Sequence, residues 1–189
     1  MNKLPGLFLL LLPLWGPSLG AQQVPRKARD WTIQVPDGKP ITLAAYRGKP
    51  VVLAFILTTC PHCQHAVELL SKIQPDYAPR GLAILASAID SNAASALPLF
   101  LRYMHPPFPV GFNEAMAVLA FADYPAARLP HMPIMLFIDR QGVVRQQHEG
   151  GDQAYFDDQE EQNLRSSIDA LVAPAKPVGK TAAAAKKTN

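Results

Sequence analysis

The feature that most limits what this chain can fold into is the apolar run Val51–Leu57, which ends just before a Cys60-Pro61-His62-Cys63 sequence. A continuous apolar stretch of this length, rich in valine and isoleucine, fits a central strand covered on both faces. Beyond the cysteines, Val67, Leu70, Ile73 and Tyr77 recur at helical spacing as far as Pro79-Arg80-Gly81. A buried strand therefore runs into a helix with Cys60 at the helix N-terminus, where unpaired N–H groups and the helix dipole favour a thiolate. Cys60 and Cys63 are the only cysteines in 189 residues. Two thiols this close suit the making and breaking of one bond better than the stapling of a fold, and the pattern points to redox chemistry.

Length and composition describe one domain with its own core, because 49% of the residues are hydrophobic and 17% charged. The first twenty residues are set apart from it. Lys3 precedes an apolar stretch from Leu4 to Leu14 that Pro5 and Pro13 interrupt, and Ser18-Leu19-Gly20 places small residues before Ala21. This is the pattern of a signal peptide over 1–20, too short for a bilayer span of roughly 20 apolar residues. An exported, periplasmic or otherwise extracytoplasmic setting is expected, where a cysteine pair is oxidised or reduced according to its partners. Without Lys3 and the four lysines Lys176, Lys180, Lys186 and Lys187, thirteen basic residues stand against fifteen acidic ones. That balance gives no nucleic-acid surface.

Residues 21–30 are expected to form a polar linker and 31–173 the domain. Trp31–Val35 and Ile41–Leu43 are the arms of a hairpin around Pro36-Asp37-Gly38-Lys39. Leu82–Ile89 is the next buried strand, which makes a βαβ unit with parallel pairing. A helix capped by Ser91 or Asn92 runs to about Met104, a short strand lies within Pro106–Gly111, and Glu114–Asp123 is a further short helix. Ile134–Ile138 and Val143–His148 form a hairpin around Asp139-Arg140-Gln141-Gly142. Asp158–Val172 closes the domain as an amphipathic helix with Leu164, Ile168 and Leu171 inward, and residues 174–189 are expected to be a disordered Ala/Lys/Pro tail.

From about Trp31 to Val172 the chain resembles the thioredoxin superfamily, and within it the exported TlpA/ResA-like thiol–disulfide oxidoreductases. The likeness rests on Asp37-Gly38-Lys39, Tyr46-Arg47-Gly48-Lys49, the strand–Cys-x-x-Cys–helix unit, Met132-Pro133 directly before a strand, and Phe137-Ile138-Asp139-Arg140-Gln141-Gly142. It implies an α/β thioredoxin-like fold, with a mixed central sheet, flanking helices on both faces and an added N-terminal β-hairpin. It also implies a monomer without cofactor that exchanges electrons with a protein dithiol or disulfide substrate and with a membrane or periplasmic redox partner. There are departures. Relatives keep a buried acid where Ala54 stands, often a glutamate where Ala66 stands, and an aromatic where Thr59 stands. The Pro61-His62 dipeptide resembles that of the DsbA-like oxidases.

Cys60 is the expected nucleophile and Cys63, one turn further in, the resolving thiol. Pro61 fills a first-turn position whose N–H would be unpaired in any case. His62, if protonated, supports the thiolate and favours the reduced form. The resemblance makes Pro133 a cis-proline facing the disulfide and leaves the Met132 backbone to pair with an extended substrate. With Ala54 in place of the acid, Glu68 or His131 are candidates to accept the Cys63 proton. His65, His105 and His148 are expected to be ordinary surface histidines, and Trp31 a core or loop anchor. Two other functions compete. A peroxiredoxin-like thiol peroxidase would carry a proline at Leu53, and a copper- or zinc-binding module would need ligands beyond Cys60, Cys63 and a nearby histidine.

Overall fold

The computed structural model describes residues 24–173 apart from 37, 126, 127 and 157; the leader over 1–20 and the tail over 174–189 lie outside the described residues. The architecture is built around β4 (Val51–Ile56), every residue of which is buried. A strand apolar on both faces must be covered on both, and alternation along the strand divides the core in two. Val52, Ala54 and Ile56 join one cluster, Val51, Leu53 and Phe55 the other.

The first cluster is covered by three helices: α1 (Pro61–Tyr77), α2 (Ala93–Met104) and α4 (Glu160–Val172). Leu164, Ile168 and Leu171 of α4 face inward as the periodicity predicts. The second cluster is covered by α3 (Ala115–Phe121) and by a two-stranded hairpin of β2 (Thr32–Ile33) and β3 (Ile41–Thr42). The hairpin arms are shorter than the sequence suggests, and its turn includes residue 37, which is not described. Trp31 holds the hairpin down, its ring centroid 5.8 Å from that of Phe55 and 4.6 Å from that of Phe121. Gln34 bridges onto Phe112, an approach that only Gly111 permits, since a Cβ there would lie 2.2 Å from the Gln34 carbonyl oxygen.

Four more named strands and a fifth short one complete a mixed six-stranded sheet. They are β1 (Arg26–Lys27), β5 (Ala83–Ala88), β6 (Val110–Phe112), β7 (Ile134–Ile138) and β8 (Val143–Glu149), in the order β1-β8-β7-β4-β5-β6. β4 and β5 are parallel, as the βαβ reading requires, and β7 and β8 are the antiparallel hairpin around Asp139. The Asp139 carboxylate organises that turn by accepting the Gln141 and Val143 N–H groups at 2.9 Å and Arg145 Nε at 2.6 Å. Within the expected linker, the described residues include a short strand. Arg26 and Lys27 pair antiparallel with Val144 and Val143, and Arg26 Nε lies 2.6 Å from an Asp123 oxygen. A two-residue edge strand of basic residues has no apolar alternation to betray it.

The apolar strand thus determines both cores. Phe55→Ala is expected to lower unfolding free energy by about 3–5 kcal/mol, seen as a lower urea midpoint at unchanged slope. A cost below about 1 kcal/mol would contradict the central position of β4.

Candidate active site

The carboxyl end of β4 continues as Leu57-Thr58-Thr59 to Cys60, the residue that caps α1 with extended backbone (φ −80°, ψ 120°). Pro61 opens the helix, and the Cys60 carbonyl accepts its first intrahelical bond from the Gln64 N–H at 3.0 Å. Cys60 is half-buried, and Cys63, a turn later, is wholly buried in the three-helix cluster. Both are free thiols. The Leu57 N–H donates to Cys63 Sγ at 3.3 Å. Burial pushes the Cys63 thiol far above the ordinary thiol range; the Leu57 hydrogen bond pulls the other way, while the adjoining Cys60 thiol and Asp90 add to the rise.

Asp90, just past the end of β5, holds this loop in place. Its oxygens accept the Thr58 N–H at 2.9 and 3.1 Å and the Thr58 hydroxyl at 3.2 Å. From the other side Gln64 Nε2 donates to the Thr58 carbonyl at 2.8 Å. The loop between the strand and the nucleophile is therefore tied to two elements.

On the opposite flank, the antiparallel pairing of β4 with β7 ends with Phe55 opposite Ile134, so Met132 and Pro133 precede β7 at the carboxyl end of β4. The Met132–Pro133 peptide is cis, and Pro133 is buried. Gly150 donates its one N–H to both the His131 and the Pro133 carbonyls, at 2.9 and 2.8 Å. A Cβ at 150 would come 2.3 Å from the Met132 oxygen, so glycine is needed for the chain to pass. Among the described residues, neither the Met132 N–H nor its carbonyl has a hydrogen-bond partner.

Cys60–Cys63 follow the carboxyl end of β4, and Met132 and Pro133 precede β7 at the same end of the sheet. Of the two candidate proton acceptors, Glu68 lies on α1 and His131 directly precedes Met132. Glu68 and His131 are both exposed. Asp90 is a carboxylate close enough to act on Cys63, and Glu160 lies beside His65 and His62; the sequence reading missed both. Glu160, in the first turn of α4, is buried; one oxygen lies 3.7 Å from His65 Nε2, and the other has no hydrogen-bond partner among the described residues. Burial raises its carboxyl above the ordinary value, against the pull of His65 and His62. Neither residue has a fixed spacing from the cysteines, so no sequence signal identified it. His148 is also more than a surface histidine: its ring stacks on Tyr155 at 3.6 Å, and Nδ1 lies 2.8 Å from Asp152. Among the described residues, no cluster of three His, Cys, Asp or Glu side chains stands ready for a metal ion.

Residues 24–147 match the model of the AhpC/TSA family. The chain belongs to that family. Curated relatives are described as thiol-disulfide oxidoreductase ResA. That of Bacillus thuringiensis subsp. konkukian is 25% identical over 129 residues, 68% of this chain and 70% of the relative. That of Bacillus anthracis is 26% identical over 125 residues, 66% of this chain and 69% of the relative. Among solved structures, a thiol:disulfide interchange protein of the thioredoxin family from Chlorobium tepidum superposes with a TM-score of 0.63 at 19% identity, over 81% of this chain and 100% of that one. A secreted Mycobacterium tuberculosis disulfide oxidoreductase homologous to E. coli DsbE gives 0.59 at 19% identity, over 75% and 96%. The fold is thioredoxin-like, as the resemblance implies, and the protein is a thiol–disulfide oxidoreductase.

The burial of Cys63 has a measurable consequence. Above the ordinary thiol value, near pH 8.5, the unfolded chain releases the Cys63 proton while the folded chain keeps it. The folded state then holds more protons, so stability falls as pH rises. The reduced protein is expected to lose about 1.4 kcal/mol per pH unit above that point through Cys63. Cys63→Ala should remove this slope in urea titrations of the reduced protein, and equal slopes in parent and variant would contradict it.

Proposed function

We propose that this enzyme exchanges electron pairs with the thiols of exported proteins through a reversible Cys60–Cys63 disulfide. The inequality of the two sulfurs carries this reading, Cys60 accessible at the helix cap and Cys63 enclosed one turn behind it. In the reducing direction the Cys60 thiolate attacks one sulfur of a partner disulfide. A Cys60–partner bond forms as the partner S–S bond breaks, and the displaced sulfur leaves as a thiolate that takes up a proton. Cys63 then releases its proton and attacks Cys60 Sγ, which expels the second partner sulfur. Two electrons have passed to the partner and the enzyme holds the disulfide; oxidation of a partner is the same sequence reversed.

The surroundings support each step. The Leu57 N–H lies where a forming Cys63 thiolate gains a donor. The unpartnered Met132 peptide suits strand addition by an extended partner segment. We assign His62, exposed on the same first turn, to the electrostatic support of the Cys60 thiolate. An extracytoplasmic setting is favoured by the leader pattern over 1–20 and by the secreted relative, with a membrane or periplasmic protein as the second redox partner. No helix among the described residues is long and apolar enough to cross a membrane.

Cys60→Ser is expected to abolish insulin reduction, and Cys63→Ser to accumulate mixed disulfides with its partners; retained activity in the first variant would sink the assignment. Direction follows from the potential in a glutathione titration, a reductase near about −270 mV and an oxidase near about −120 mV. Rapid consumption of hydrogen peroxide with a thiol donor, and no exchange with protein disulfides, would move the enzyme to the thiol peroxidases. Against that outcome, Leu53 lies buried in β4 where the peroxidase motif has its proline.

A further inference from the structure

A cavity of about 220 Å³ lies at the end of the sheet remote from the cysteines. Val51, which opens β4, stands opposite Ile138, which closes β7, and both line it. The length of β4, roughly 17 Å, separates it from the loop that carries Cys60. The short 3-10 helix Leu43–Tyr46 and the Asp139-Arg140-Gln141-Gly142 turn form its sides. Five cationic side chains line it, Lys27, Arg29, Arg47, Lys49 and Arg140, against two acids, Asp30 and Asp139.

Both acids are already engaged. Asp139 accepts two N–H groups of its own turn and Arg145 Nε, and Asp30 lies 3.3 Å from Arg47. Arg29 pairs at 2.8 Å with Asp123, which is not part of the lining. Lys27, Lys49 and Arg140 are left without a carboxylate among the described residues. Two of these three charges are held in advance by neutral groups. Lys27 Nζ donates to the Gln141 carbonyl, and the Arg140 guanidinium to the carbonyls of Leu171 at 3.2 Å and Arg80 at 3.3 Å. The Lys49 ammonium has no partner among the described residues. The flanking sequence supplies no counter-charge, since residues 1–29 and 170–189 hold no aspartate or glutamate and four lysines follow Ala173.

We infer that this cavity binds one phosphate group. Three unbalanced cations around so small a volume suit a compact, multiply charged oxyanion better than a single carboxylate. Lys27 keeps two of its three N–H donors and Lys49 all three, so donors as well as charge are available. Side chains already fixed by carbonyls lose little freedom when the anion arrives. Leu43, Val51 and Ile138 supply an apolar part of the wall, against which the short organic stem of a phosphate ester can rest. The site lies at the opposite end of β4 from Cys60, so the inference stands apart from the redox assignment, and an occupant here leaves Cys60 open to its partners.

The test titrates the full-length protein at low salt with inorganic phosphate, glycerol 3-phosphate and acetate by calorimetry, and sediments it with phosphatidylglycerol or phosphatidylcholine vesicles. Phosphate and glycerol 3-phosphate are expected to bind at one site per chain, at least about tenfold more tightly than acetate. Lys49→Glu should weaken that binding at least about tenfold, and Lys27→Gln should reproduce the loss. Lys39→Glu makes the same change of net charge at an exposed position outside the cavity and should leave the affinity unaltered. Insulin reduction, which depends on the other end of β4, is expected unchanged in all three variants and reports that they are folded. Retention on phosphatidylglycerol vesicles that Lys49→Glu loses would place the phosphate on a lipid headgroup; glycerol 3-phosphate binding without such retention would place it on a soluble ester. No saturable phosphate binding by the parent, acetate bound as tightly, or equal losses in Lys49→Glu and Lys39→Glu would overturn the site.

Discussion

Because every residue of β4 is buried, the helix that follows has to press along one of its faces, and the turn that begins at Cys60 carries the next sulfur into the core three residues later. The two thiols are made unequal by this packing and not by their own chemistry. Cys60 caps the helix and keeps part of its surface in solvent; Cys63 sits among aliphatic side chains with one backbone N–H as its donor. A buried thiol resists ionisation, so Cys63 holds its proton more firmly than an exposed thiol would. The order of events proposed for disulfide exchange follows from that difference.

The site depends on elements that converge on the carboxyl end of one strand. β5 contributes Asp90, which fixes the loop before Cys60, and β7 contributes Met132 and Pro133 on the other flank. Successive strands run from β4 to β5 to β6 in one direction, after which the chain crosses to β7 on the far side of β4. Loops that leave in opposite directions from such a point open a crevice there, and ligand sites form in it. The departures at Ala54 and Ala66 suit this arrangement. Both alanines are buried in the three-helix cluster, and a carboxylate that acts on Cys63 comes instead from Asp90.

Much of this was legible in the residues. A seven-residue apolar run has one inexpensive fate, a strand covered on both sides, and the helical spacing after Cys63 determines which sulfur turns inward. The βαβ unit, the closing helix and the Asp139 turn follow from local patterns of the same kind. Arg26-Lys27 escaped because two basic residues on a sheet edge carry no period, and His148 because its stacking partner Tyr155 lies in a loop without one.

The sequence by itself pointed to the reaction class, since two neighbouring cysteines between an apolar strand and a helix are local facts of order and spacing. Tertiary structure alone decided that Asp90 stands near Cys63, that Thr58 is gripped from two sides, and that α2 leaves an apolar wall beside the loop before Cys60. The Asp90 contact with Thr58 joins groups 32 residues apart in the chain. Such meetings are set by how layers pack around a common core, and no local period in the chain encodes them.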